Sequence, residues 1–136
     1  MTEKIYFTLE EAIEILPKVK ILLEKLLKIQ AKLNLHSQIQ VEYDDEFLEN
    51  VEIIRNELVE SKHIYEFFKI LNELTELGIF VKDPSTGLID FYSKLGDEDI
   101  FLCYKYPEKT ISFWHGVDEG FIGRRDVKSL KETSNE

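Results

Sequence analysis

The 136-residue chain has one cysteine, one tryptophan, three prolines and no apolar run near the roughly 20 residues a membrane span needs. A single cysteine, Cys103, excludes an intramolecular disulfide, and no charged-then-apolar leader opens the chain, so a reducing cytoplasm is the expected compartment. Glu or Lys interrupts every greasy stretch, which argues against a membrane location. Basic charge is also short: 17 Lys and Arg stand against 27 Asp and Glu, a net charge of -10, so the summed field repels phosphate backbones and anionic lipid. Nucleic acid is therefore not an expected partner. No phosphate loop, dinucleotide-binding glycine fingerprint, nucleophile elbow or CxxC pair occurs, and the expectation is no bound metal and no cofactor.

What is present reads as one α+β domain over residues 1–125, long enough to bury a core without staples. Thr8-Leu9-Glu10-Glu11 is a capping box, in which the Thr hydroxyl and the Glu carboxylate satisfy backbone donors at a helix start. Leu9, Ala12, Ile13, Leu16, Val19, Leu23 and Leu26 then recur at steps of three and four, predicting a helix over about 9–35. Pro17 interrupts it in register, so a kink is expected there rather than a stop. Ile39, Val41 and Tyr43 alternate with polar residues and predict an extended connection or a short strand between about His36 and Asp44. A second helix is expected over about 45–77, because Phe47, Val51, Ile54, Leu58, Ser61, Tyr65 and Phe68 step by four and three until Gly78 supplies a cap. Lys18, Lys20, Lys25, Lys28 and Lys32 on the first helix and Asp45, Glu46, Glu49, Glu52 and Glu57 on the second suggest an antiparallel hairpin that brings these stretches together.

After Gly78 the period becomes two. Four strands are predicted over about 79–115: Ile79 to Asp83, Leu88 to Tyr92, Ile100 to Tyr106 and Thr110 to His115. Turn residues at short intervals make them a small antiparallel four-stranded β-meander. Residues 126–136 are charged and aperiodic, and are expected to form a mobile C-terminal tail.

The densest chemistry lies in Phe113 to Arg125. His115 and Asp118, three apart, suit a base with its orienting acid or two metal ligands, and Asp90 is the available third group. The competing reading is a structural hydrogen-bond network. Gly120 and Gly123 with Arg124, Arg125 and Trp114 suggest a concavity for a small anionic ligand, unless the arginines pair with carboxylates of the chain itself. Glu60-Ser61-Lys62-His63 matches the ligand pattern of di-iron bundles but lacks a second copy. Cys103 reads as a small buried hydrophobe.

Phe7-Thr8-Leu9-Glu10-Glu11-Ala12 followed by Ile15-Leu16-Pro17, together with Gly87-Leu88-Ile89-Asp90-Phe91, Leu102-Cys103-Tyr104, Phe113-Trp114-His115, Gly120-Phe121 and Gly123-Arg124, resembles the prokaryotic family known as domain of unknown function 2203. The resemblance spans most of the chain and implies membership and a shared fold, with no activity to carry over. It marks Asp90, His115, Asp118 and Arg124 as matching polar positions. Gly116 stands where the family usually has Glu directly after the His, a role either lost here or taken by Glu119.

Two functional readings follow. The first is a non-enzymatic binding or assembly protein acting as a homodimer, because both helices carry more apolar surface than one hairpin buries. The second is a small hydrolase or lyase, metal-dependent in one version, that uses His115, Asp118 and Asp90, with Arg124 holding an anionic substrate.

Overall fold

The computed structural model describes residues 3–38 and 44–130. Two long helices, α1 (Leu9–Gln38) and α2 (Glu46–Glu76), precede a single antiparallel sheet. Its strands are β1 (Ile79–Asp83), β2 (Leu88–Leu95), β3 (Glu98–Lys105), β4 (Phe113–Gly116) and β5 (Arg125–Asp126), paired in chain order, with a one-turn 3-10 helix at Phe121–Gly123. The α+β meander expected from the periodicity is present, with a fifth strand. That strand is two polar residues long, too short for alternation to announce it.

The helix ends follow their local chemistry. The Thr8 hydroxyl accepts from the Glu11 N–H at 3.1 Å, and the Glu11 carboxylate accepts from the Thr8 N–H at 3.0 Å. Asp45 caps α2 by accepting from the N–H groups of Phe47 and Leu48. Gly78, at φ +92°, ends it in a conformation that a side chain rarely tolerates, and a Cβ there would also strike Ile5. Helix α1 runs unbroken through exposed Pro17. It also includes His36, expected in the connection; the alternating stretch 39–43 lies outside the described residues. No helix among the described residues is long and apolar enough to cross a membrane.

One face of the sheet carries Ile79, Ile89, Phe91, Ile100, Leu102, Tyr104 and Trp114, which form a continuous core with Ala12, Leu16, Val19, Leu23 and Leu26 of α1 and Leu74 of α2. The N-terminal segment is tied to β2 by the Phe7 N–H to the Tyr92 carbonyl and by the buried Ser93 hydroxyl to the Phe7 carbonyl. Residues 126–130 are not loose, contrary to the tail expected from Asp126. Asp126 pairs in β5, Val127 and Leu130 pack on the core, and the Trp114 indole donates to the Ser129 hydroxyl at 2.9 Å. Residues 131–136 lie outside the described part.

The pairing of lysines with the acidic opening of α2 is also corrected. Lys25, Lys28 and Lys32 border a groove with Glu66, Lys69, Ile70 and Glu73, well along α2. Lys28 pairs with Glu24 and Arg55 with Glu52, each within its own helix. At about 1.5 Å rise per residue, this register puts the end of α1 level with roughly Glu57 to Ser61. The first three turns of α2 therefore extend past α1.

Candidate functional site

The second face of the sheet holds the chemistry. Strand alternation sends Phe80 and Lys82, Asp90 and Tyr92, Phe101 and Cys103, and Phe113 and His115 to this side. The register pairs Phe80 with Asp90, Asp90 with Cys103, Cys103 with Phe113, and Phe101 with His115. Asp90, Cys103 and His115 thus come from three adjacent strands, and their ligand atoms all lie within 4.8 Å of one another. All three are buried, Asp90 to 1% exposure and His115 to 2%. An aromatic layer seals them, with Phe101 in edge or tilted contact with Phe80, Tyr92 and His115.

A carbonyl can only accept, so His115 Nδ1 must donate to the Gly116 oxygen, 2.8 Å away. That leaves Nε2 facing Asp90 Oδ1 at 3.1 Å. Two acceptors at that separation in a dry site need a cation between them, a proton in the simplest case. Asp90 Oδ2 faces Lys82 Nζ at 3.7 Å, and the Lys82 ammonium sits over the Phe80 and Phe101 rings. Burial, with the neighbouring Asp90 charge as a smaller cause, pushes the Cys103 thiol up to about 12. It is no ready nucleophile.

Of the four polar positions singled out from the sequence, Asp90 and His115 come together at 3.1 Å, and Asp118 stands outside their cluster. Asp118 is exposed in the turn after β4, while both ring nitrogens of His115 are engaged elsewhere. The three-residue spacing misled because His115 belongs to a strand and points across the sheet, not along the loop. Arg124 Nη2 donates to Glu108 Oε1 at 2.7 Å, and its guanidinium stacks 4.1 Å from the Phe113 ring centre and 4.6 Å from that of Phe121.

The glycine-lined concavity is filled from within. A Cβ added at Gly123 would lie 2.7 Å from Glu119 Oε2, and one at Gly116 2.9 Å from Glu119 Oε1. The same carboxylate accepts from Arg125 Nη2 at 2.7 Å, and the Arg125 guanidinium lies 4.8 Å from the Trp114 ring. Glu119 thus stands beside the position where Gly116 lacks a side chain. Its partner is Arg125, so it takes no part in the buried cluster. Gly120 has nothing near it. Both arginines hold carboxylates of the chain, the alternative to an external anion.

Cys103 is the member of the cluster that the sequence reading set aside. Gly96 and Asp97 form a two-residue hairpin with Gly96 at φ +62°, and Leu95 pairs with Glu98 across it. Counting back from that turn puts Asp90 opposite Cys103, so the signal was available.

The model of a family described as "Uncharacterized conserved protein (DUF2203)" matches residues 5–127, nearly the whole described chain. The chain belongs to this family. No curated protein and no solved structure matches it. In this member of the family, the match spans the capping box, the helical pair, the buried cluster and the arginine segment.

A second candidate surface lies on α2. Phe47, Ile54, Leu58, Tyr65 and Phe68 are all exposed, with Phe47 at 73% and Leu58 at 66%. Leu74 is the one buried residue of this 31-residue helix. Leu48, Ile53, Val59 and Ile64 add exposed apolar area beside the stripe.

Proposed function

We propose that this is a non-enzymatic assembly protein that works as a homodimer, joined through the stripe Phe47, Val51, Ile54, Leu58, Ser61, Tyr65 and Phe68 on α2. The observation that carries the reading is the exposure of Phe47, Ile54, Leu58, Tyr65 and Phe68 of that stripe, along a helix that buries one residue. Steps of four and three make a coiled-coil seam, and about 22 residues give it three heptads. Scattered apolar residues on a surface are ordinary, but five large exposed ones in register along one helix are not.

A second copy suits the seam by charge. With Val51, Leu58 and Tyr65 at the a positions and Phe47, Ile54, Ser61 and Phe68 at d, Glu57 falls at g and Lys62 at the following e. In a parallel pair, Glu57 of one protomer meets Lys62 of the other. An antiparallel pair would set the e positions Arg55, Lys62 and Lys69 against each other. The charges therefore favour the parallel dimer, through orientation more than through strength. The overall acidity supports a protein partner over a nucleic acid, and the free thiol suits a reducing cytoplasm.

Sedimentation velocity at micromolar concentration tests this. The wild-type chain is expected at twice its chain mass, and Leu58→Glu at the chain mass with unchanged helical circular dichroism. A monomeric wild type would overturn the reading.

A further inference from the structure

We propose that Asp90, Cys103 and His115 form a binding site for one divalent cation of the zinc type. The donors are a thiol sulfur, an imidazole nitrogen and a carboxylate oxygen, the mixed set that a borderline-soft first-row ion prefers. They lie within 4.8 Å of one another on three neighbouring strands, so the sheet holds them in place.

The geometry of the imidazole is the independent observation. Its Nδ1–H is committed to the Gly116 carbonyl at 2.8 Å, the outer contact that fixes a ligating histidine. Nε2 is thereby aimed into the cluster, toward Asp90 Oδ1 at 3.1 Å. Zinc bonds of about 2.0–2.2 Å to nitrogen and oxygen set tetrahedral ligand edges of roughly 3.3 Å, close to that separation.

Charge also fits. A thiolate and a carboxylate neutralise a dication, and the imidazole ligates as the neutral base. Lys82 faces the other oxygen, Oδ2, and leaves Oδ1 to the ion. Binding exchanges protons for the metal: the thiol proton, and the proton shared between His115 and Asp90, leave as the ion enters. Three protein donors leave a fourth position on a tetrahedral ion.

The test uses the full chain, purified without chelator for elemental analysis, then stripped and titrated with Co2+. One zinc per chain is expected as purified. Cobalt should give the intense visible bands of a tetrahedral site and a sulfur-to-metal charge-transfer band. That band should vanish in Cys103→Ser and persist in Asp118→Asn, whose side chain is exposed. Should Cys103→Ser fail to fold, the zinc X-ray absorption spectrum of the wild-type protein decides instead, with one sulfur scatterer expected at about 2.3 Å. Folded wild-type protein that takes up neither ion, or metal bound without sulfur, would overturn the proposal and leave a cluster held together by protons.

Discussion

Helices α1 and α2 are nearly equal in length, 30 and 31 residues, and both carry apolar residues at helical spacing. Their fates differ. Helix α1 buries Ala12, Leu16, Val19, Leu22, Leu23, Leu26 and Ile29, whereas α2 buries Leu74 alone. Helical periodicity specifies that a face must be covered, but it does not specify by what. For α1 the cover is the inner face of the sheet, supplied by the same chain. For α2 the sheet ends near Leu74 and α1 ends near the middle of the helix, so the first half has no cover from the described residues. In the proposed dimer a second copy covers the apolar row there.

That contrast can be broken most sharply at Leu23. It is fully buried, so Leu23→Ala should cost about 2–5 kcal/mol in chemical denaturation, with the midpoint shifted and the slope kept. Thr8→Ala should cost about 0.5–2 kcal/mol by removing the cap of α1. Hydrogen bonds from Thr8 hold the Glu11 carboxyl below its ordinary value of 4.5. The capping box therefore stabilises the fold above that value, and the contribution is lost as pH falls through the lower folded one. The gap between wild type and Glu11→Ala, which removes the titrating carboxylate itself, should narrow below about pH 4.5 in thermal melts. A gap that widens in acid would contradict the assignment.

The smallest stability effect is expected on α2. Leu58→Ala, measured at concentrations low enough to separate the protomers, should change stability by no more than about 0.5 kcal/mol, as at other exposed positions. The same substitution should weaken association at micromolar concentration, seen as a fall in sedimentation coefficient. Equal destabilisation by Leu58→Ala and Leu23→Ala would erase the distinction between the helices.

The contrast also shows how much of the molecule was legible in the sequence. Local signals were read directly: the capping box at Thr8 and Glu11, the cap at Gly78 and the change of period after it. Long-range placement was not. The charges of α1 and α2 suggested a register that the packing does not adopt, because exposed lysines contribute little beside the buried Leu and Ile that set the fit. His115 pairs by spacing with its sequence neighbour Asp118, with Asp90 as a third group; in the fold Asp90, 25 residues away across β3, is the one that faces it. The tight turn at Gly96 and Asp97 made the Asp90 and Cys103 pairing readable, but the longer connection from Lys105 to Phe113 gave no such count for His115. The arginine segment reads from the sequence as dense in charged and aromatic groups. Its charges are spent on Glu108 and Glu119, the first 16 residues away in the chain.

The central claim is that the stripe on α2 is an interface. Hydrogen exchange of the backbone amides from Phe47 to Phe68, measured by mass spectrometry across a dilution series, tests it most directly. Protection of this segment should be high at micromolar protein and fall on dilution, while α1 and β2 to β4 stay protected throughout. Protection of α2 that is the same at every concentration would contradict the account.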